Sequence, residues 1–424
     1  MNVSDNIDKL TDNLFRHESG KMVAVLTKIF GAEHLDLAED VVQDTFISAI
    51  GNWKLKGIPE NPSGWLFRSA RNKAIDVIRR NRFTQQFDFN DPERELLKSE
   101  YTLSTVMDSF WQEEAIKDDL LKMMFACCHP GINMESQIAL VLKTLCGFST
   151  AEIARAFLSS EETVTKRLYR TREFFRAQKT KPAFPPVSQL KDRTGAVLKT
   201  IYLIFNEGYN STHTDEFIRK DLIDQSMYLC RLLCENSHTT SPEVMAALAL
   251  MCLHAARIDS RISEEGDILL LAEQDRTKWD KELIMMGNHY LNLSATGNEL
   301  SSYHVEAGIA YEHCMAESLQ HTNWERILQY YDWLVMLHPD SPIVMLNRMT
   351  VVFKIKGAEK TLEEIQSSPF LPEWEKHYLY YSLLGEIHAG TDKTKAISFF
   401  EKSKTLTKSS AEKRLLQKKI NAIA

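Results

Sequence analysis

Apolar residues recur along most of the chain with the period of about 3.6 residues that marks an α-helix, and almost no segment alternates as a strand would. This pattern predicts an all-α protein. Two stretches interrupt it: residues 84–101 are polar and lack a sustained apolar period, and residues 179–187 contain three prolines. We expect a linker at each, with a long helical array after the second.

Residues 149–176 predict two helices joined by a tight turn. Ser149 with Glu152, and Ser159 with Glu162, each fit the S-x-x-E capping box, so the helices should begin ten residues apart. The predicted buried positions are Ile153, Ala154, Phe157, Val164, Leu168, Thr171 and Phe175. The outer face of the second helix carries Thr163, Lys166, Arg167 and Arg170. A helix-turn-helix would present this face to DNA, whereas an ordinary helical hairpin would leave it solvated.

A second basic helix is predicted earlier in the chain, over residues 65–82. It follows an amphipathic helix at 37–50 and a loop at 52–64 that contains Trp53. The earlier helix has a mostly acidic face, formed by Glu39, Asp40, Gln43 and Asp44. The basic helix turns Leu66, Ala70, Ala74, Val77 and Ile78 inward, and Arg68, Arg71, Asn72 and Arg79 outward. Aromatic residues beside a basic helix suit a surface that holds unstacked bases, although tryptophan more often lies in a core.

Positive charge is concentrated in the two basic helices. The 424-residue chain has a formal net charge of −7, yet residues 65–82 hold six Lys or Arg against one Asp, and residues 163–181 hold seven against one Glu. Duplex DNA carries a phosphate charge about every 1.7 Å along its axis, so local cationic surfaces favour it. DNA is therefore the predicted partner.

Other composition signals narrow the class of protein. Seven cysteines lie in apolar helical stretches, which predicts reduced core residues; Cys127-Cys128 lacks the spacing of a zinc site, so we expect no metal or cofactor. The amino terminus lacks signal-peptide features and no apolar run approaches the ~20 residues of a membrane span, which predicts a cytoplasmic protein without a membrane partner. No catalytic spacing surrounds the candidates at 206–209, His213, His304, Glu306, Glu312 and His313. The chain is not expected to be an enzyme.

The last part of the array approximates a tetratricopeptide unit over residues 381–406. Leu384-Gly385, Ala396 and Phe400 stand at the unit's characteristic positions, and residues 324–356 form a looser copy. Stacked helix pairs of this kind leave a concave surface that can hold a peptide or partner. The alternative is a packed appendage without a partner.

The motifs LAEDVVQDTFISAIGNW and NPSGWLFRSARNKAIDVIRR, followed by the helix-turn-helix, resemble an extracytoplasmic-function sigma factor of the sigma-70 family. LKDRTGAVLKTIYLIFNEGYNST, LLLAEQDRTKWD and VMLNRMTVVFKIKG look like the large C-terminal helical extension, with tetratricopeptide-like repeats, of one subgroup. The resemblance implies sigma region 2 at 1–85, an acidic linker at 86–112, region 4 at 113–178, a Pro-rich linker at 179–191 and the C-terminal domain at 192–424.

The resemblance also implies roles for individual residues. Those of the helix that binds the polymerase clamp would be Asp40, Gln43, Asp44 and Phe46. Those at the −10 element would be Arg68, Asn72, Arg79 and Arg80, with the loop 53–62 capturing bases. Those at the −35 element would be Glu161, Thr163, Thr165, Lys166, Arg167 and Arg170.

The implied function is a sigma factor that binds the clamp and flap of core RNA polymerase, selects promoter DNA and assists its opening. The C-terminal domain would regulate through contact with a protein or ligand. The net −5 of residues 91–130 suggests a linker that mimics nucleic acid and keeps the two DNA-binding domains apart until core binds. Two alternatives stay open: a stand-alone helix-turn-helix regulator with a tetratricopeptide-like scaffold, and a scaffold alone.

Overall fold

The computed structural model describes residues 3–81, 96–157, 159–178, 183–210, 218–263, 267–407 and 409–423. The start of the predicted acidic linker, Leu158 in the predicted turn, the start of the Pro-rich linker and His213 lie outside these residues. The prediction of an all-α fold is confirmed: within the described residues the only extended pairing is one bridge between Ile262 and Ile268. The chain forms two compact units, Met1–Ile204 and Phe205–Ala424.

The first unit is a helical bundle built around its longest helix. Its helices are α1 Val3–Phe30, α2 Leu35–Lys56, α3 Pro62–Asn81, α4 Glu100–Phe110, α5 Glu113–Cys127, α6 Met134–Leu140, α7 Thr150–Ala156, α8 Glu161–Gln178 and the first part of α9 Val187–Tyr209. A π-helical segment at Val141–Leu145 continues α6. A Cβ on Gly20 of α1 would lie 2.0 Å from the Leu145 carbonyl oxygen, so glycine permits this close approach.

Parts of the first unit differ from the predicted linkers. Residues 100–110 form α4, whose Leu103, Met107 and Phe110 are buried, so the acidic stretch is a packed element rather than an extended connection. Helix α9 begins within the predicted Pro-rich linker. Its Arg193 donates to the Phe125 carbonyl oxygen at 2.7 Å, and this first part of α9 belongs to the first unit.

The second unit is an array of antiparallel helical pairs. It contains the end of α9, followed by α10 Lys220–Glu235, α11 Pro242–Ala255, α12 Lys281–Ser294, α13 Ser302–Met315, α14 Trp324–Leu337, α15 Pro342–Gln366, α16 Leu371–Trp374, α17 Tyr378–His388, α18 Lys393–Leu406 and α19 Ser410–Ile423. Helix α15 kinks at Gly357. Helix α11 is buried on nearly all sides, which explains its continuous apolar sequence.

The segment predicted as a tetratricopeptide unit folds as the pair α17 and α18. A Cβ on Gly385 would lie 2.5 Å from the Phe400 ring, so the small residue of the first helix lets the aromatic residue of the second approach. Ala396 and Phe400 continue into an apolar cluster with Leu416 and Ile420 of α19. The looser copy at 324–356 corresponds to α14 and the part of α15 before its kink.

Candidate nucleic-acid interface

Helix α2 presents the acidic face that the sequence predicts. Asp40, Gln43 and Asp44 are exposed, whereas Phe46 is only 4% exposed and its ring packs edge-on against Phe15 at 4.9 Å. The assignment of Phe46 to a contact surface is therefore corrected: its apolar ring belongs to the core and fixes the position of the helix. Ile47 is 68% exposed on the same face, and its spacing from Gln43 and Asp44 would have identified it.

The predicted loop after α2 is shorter than expected. Helix α2 continues to Lys56, so Trp53 lies on a helix; it is 2% exposed, and its ring contacts Trp65 edge-on at 5.7 Å. The described connection is residues 57–61. Trp53 is thus a core residue, because the helix turns its indole inward, and the candidates for base capture shrink to this short loop and the start of α3.

Helix α3 has the predicted two-sided character. Its inward residues Leu66, Ala70, Ala74, Val77 and Ile78 are buried, and its Arg68, Asn72, Arg79 and Arg80 are exposed. The exposed residues therefore form one basic face on a rigid element. Region-2 residues assigned by resemblance to the −10 element all lie on this face.

Helix α4 covers part of the basic face of α3. The Arg79 Nε lies 3.1 Å from a carboxylate oxygen of Glu100, and the Arg71 Nε lies 2.8 Å from Asp108. Arg71 also donates to the Ser104 hydroxyl at 2.9 Å. A cavity of about 300 Å³ lies between the helices, lined by Arg71, Asn72, Ile75, Arg79, Glu100 and Leu103. Carboxylates thus stand where an incoming phosphate would meet Arg71 and Arg79.

One cap of the predicted helix-turn-helix is confirmed, and the other is shifted by one residue. Ser149 and Glu152 form the expected capping box, with both reciprocal hydrogen bonds. The second predicted box is wrong: Ser160, not Ser159, accepts from the backbone N–H of Thr163, and α8 begins at Glu161. Residues 159 and 160 are both serines, so either could supply the capping hydroxyl. The turn places Ser160 directly before the helix, and Ser160 is therefore the N-cap. The stripe Val164, Leu168, Thr171 and Phe175 is buried as predicted.

The outer face of α8 is partly engaged by the chain itself. Arg167 forms an ion pair with Glu135 of α6, and the Lys166 Nζ lies 2.6 Å from Glu162. Thr165 donates to the Glu161 carbonyl oxygen at 2.8 Å, and Thr163 contacts the Ser160 hydroxyl. Arg170 is exposed. Thr163, Lys166, Arg167 and Arg170 share one face of α8, whereas Glu161 and Thr165 lie to the side of it. Among these predicted −35 residues, Arg167 is the one held by a carboxylate from another helix.

The carboxy-terminal half of α8 lies against the start of α2. The Arg172 guanidinium bridges Asp36 and Glu39, each at 2.7 Å, and Arg176 also pairs with Asp36. Nothing in the sequence singles out Arg172 or Arg176, because a basic helix alone does not reveal its intramolecular partners. The predicted regions 2 and 4 are thus in contact, which contradicts the expectation that the linker holds them apart.

A buried carboxylate lies at another contact between these regions. Asp119 of α5 is 3% exposed, and the Lys28 Nζ of α1 lies 3.3 Å from its Oδ1. Burial raises the pKa of Asp119 to about 6 despite the attraction of Lys28. At the α1–α7 contact, Arg16 pairs with Glu152; although burial opposes ionisation, hydrogen bonds from Ser149 and Arg16 hold the Glu152 pKa below its ordinary value.

Two parts of the chain match known families. Residues 14–84 match sigma-70 region 2, and residues 193–295 match a family of unknown function, DUF6596. An uncharacterized protein of Rhizobium meliloti (strain 1021) is 33% identical over 352 residues, which cover 83% of this chain and 81% of that protein. No solved structure matches the chain.

The region-2 match covers most of α1 and all of α2 and α3, so it includes the acidic face of α2 and the basic face of α3. The chain belongs to one family with the Rhizobium protein, and its residues 14–84 match sigma-70 region 2. A region 2 of this type supports a sigma-factor role in RNA polymerase binding and promoter recognition, and such factors are regulators rather than enzymes. Among the described helices, none has the length and apolar character needed to cross a membrane.

Proposed function

We propose that the chain is a sigma factor of the extracytoplasmic-function type, which binds core RNA polymerase and directs it to specific promoters. The observation that carries this proposal is the set of faces on one compact unit: an exposed acidic face on α2 and basic faces on α3 and α8. The α2 face, with Ile47 added to Asp40, Gln43 and Asp44, would contact the polymerase clamp. Helix α3 would bind the −10 element and α8 the −35 element.

In this proposal the free factor is closed. Helix α4 places Glu100 and Asp108 on the basic face of α3, and Arg172 and Arg176 of α8 occupy carboxylates at the start of α2. Core polymerase and promoter DNA would compete with these contacts. The acidic segment therefore acts on DNA binding by covering α3, which replaces the idea of a spacer between domains.

Polymerase binding is tested by co-elution of the full-length chain with sigma-free bacterial core RNA polymerase on a sizing column. Changing Asp40 and Asp44 to Lys should abolish comigration, because both exposed carboxylates become cations on the proposed contact face. Glu113→Lys with Glu114→Lys is the matched control, since these exposed carboxylates of the same unit lie on α5. Loss of binding in both variants, or in neither, would contradict the assignment of the α2 face.

The same preparation addresses the stand-alone regulator. A chain that never binds core yet binds duplex promoter DNA tightly would support that reading, because its helix-turn-helix would then act alone. A sigma factor instead gains promoter binding when core is added. A mobility-shift titration with and without core distinguishes the two outcomes.

We also infer that the second unit is a regulatory or interaction domain. The tight helical pair around Gly385 and Phe400, and the pair α14 with α15, support tetratricopeptide-like stacking. A truncation after Lys181 would also remove α9, whose first part packs into the first unit, so a cut there would damage the predicted DNA-binding half. Substitutions on exposed residues of α14 to α18, tested for transcription from a target promoter, probe the role without that damage.

A further inference from the structure

Arginine and aromatic side chains converge in the second unit, within or next to the part that matches the family of unknown function. Arg257 is 9% exposed, and its Nη2 donates to the Tyr209 hydroxyl at 3.1 Å. Its guanidinium carbon lies 5.9 Å from the centroid of the Trp279 ring, and that of Arg276 lies 4.4 Å from the same ring. Two cations therefore share one indole, and the proposed transcriptional function uses neither.

The hydrogen-bond partners of both guanidinium groups are neutral. In addition to its hydrogen bond with the Tyr209 hydroxyl, the Arg257 Nη2 lies 3.2 Å from the His254 Nδ1. Arg276 donates to the carbonyl oxygens of His313 and Ala316, at 2.7 and 2.6 Å. Neither arginine forms an ion pair in the part of the chain that the structure describes. Buried charges in proteins are ordinarily paired, because removing an ion from water is costly unless an opposite charge compensates.

Several polar atoms of this cluster also lack hydrogen bonds. The Arg257 Nε, the Arg276 Nη2 and the His313 Nδ1 are buried without a partner. Such atoms ordinarily find a partner in the protein, in water or in a bound ion. Burial, together with the charges of Arg257 and Arg276, lowers the pKa of His313 to about 4. The surroundings of His313 therefore disfavour an additional positive charge, and within the described residues no carboxylate offsets the two arginines there.

We propose that the second unit binds a small oxyanion between Arg257 and Arg276, beside Trp279 and His313. The ligand class is a small metabolite that carries a phosphate or carboxylate group, because a guanidinium fork donates two parallel hydrogen bonds to the oxygens of either. Arg276 and His313 are only partly buried, so the anion reaches the cluster from their side. This site makes the second unit a ligand-binding domain, whatever promoter the first unit recognises.

The test is isothermal titration of the full-length chain with sodium phosphate and with sodium malonate, against sodium chloride at matched ionic strength. We expect saturable binding of at least one anion, and at least tenfold weaker binding in Arg276→Gln. Arg231→Gln, which removes an exposed arginine that contacts Met286 in the same unit, should bind as the wild type does. Binding of phosphate alone indicates a phosphorylated ligand, and binding of malonate alone indicates a carboxylate ligand.

A second readout locates the anion. The NMR titration of the His313 ring should show its pKa rising when the anion is present, because a negative charge then faces the ring. Phosphate bound at the basic faces of α3 or α8 would leave His313 unchanged and would be insensitive to Arg276→Gln. Absence of saturable binding, or binding that changes neither the His313 ring nor the variant's affinity, overturns the proposal. If Arg276→Gln fails to fold, the His313 titration of the wild type decides alone.

Discussion

The ionisation of Asp119 provides a direct test of the packing of α5 against α1 in the first unit. Asp119 is buried where α5 meets α1, with the Lys28 ammonium 3.3 Å away, and its pKa is raised to about 6 from the ordinary 3.8. The folded unit therefore holds this proton more tightly than the unfolded chain does. The stability that the protonated carboxyl contributes is present below pH 4 and is lost as the pH rises through about 6. Each pKa unit corresponds to about 1.4 kcal/mol, so the loss is about 3 kcal/mol.

Asp119→Asn removes this titration while keeping the size of the side chain. We expect the variant to match the wild type near pH 4, and to have a free energy of opening up to about 3 kcal/mol higher at pH 7.5. Hydrogen exchange of backbone amides in α1 and α5, measured by mass spectrometry on the full-length chain, gives that free energy for the first unit alone. Comparing the two proteins at the same pH cancels the intrinsic exchange rates.

The control is Asp118→Asn, on the adjacent residue of α5. Its side chain is 40% exposed and pairs with Lys122, so its removal should change the opening free energy by no more than about 1 kcal/mol. Equal protection of Asp119→Asn and wild type at pH 7.5 would refute the reasoning, because it would mean that α1 and α5 do not bury this carboxyl in solution. Weaker protection at every pH would show that the Lys28 ion pair outweighs the cost of burial.

Three further predictions concern the faces and the packing. Changing Glu100 to Gln and Asp108 to Asn should increase the affinity of the free chain for promoter DNA in an anisotropy assay, whereas the control Glu113→Gln with Glu114→Gln should not. If the first variant binds DNA no more tightly than the wild type, α4 does not obstruct α3. Arg167→Ala should weaken −35 binding by roughly 1–3 kcal/mol if the side chain reads a base bidentately, and unchanged promoter occupancy in footprinting would reassign that face. Gly385→Ala should lower the stability of the α17–α18 pair by roughly 1–3 kcal/mol, because the added Cβ overpacks against Phe400. Faster amide exchange in α17 and α18 would report this loss. Gly390→Ala is the control and should have a smaller effect, because the space around its Cβ position is open.

The sequence predicted the helices and their buried faces better than the contacts between helices. The helical period identified the buried stripes of α3 and α8, because which side of a helix is apolar is a local property. It misassigned Trp53 to a loop, since a helix can continue for another turn without any change in local pattern. It placed the second cap at Ser159 rather than Ser160, because both serines satisfy the side-chain requirement and only the turn geometry selects one.

Contacts between distant segments could not be predicted, and the functional site depends on them. Arg71, Arg79 and Arg167 all lie on surfaces that their own helices mark as basic, yet each pairs with a carboxylate of another helix that lies 21 to 37 residues away in the sequence. Exposed ion pairs are individually weak and are exchanged readily for other partners. A surface that binds DNA phosphates can therefore be covered by the chain's own carboxylates without losing its capacity to bind. We infer that the closed form makes the free factor more selective for its binding partners. Only a partner that replaces several such ion pairs at once can displace them, as promoter DNA on core polymerase would.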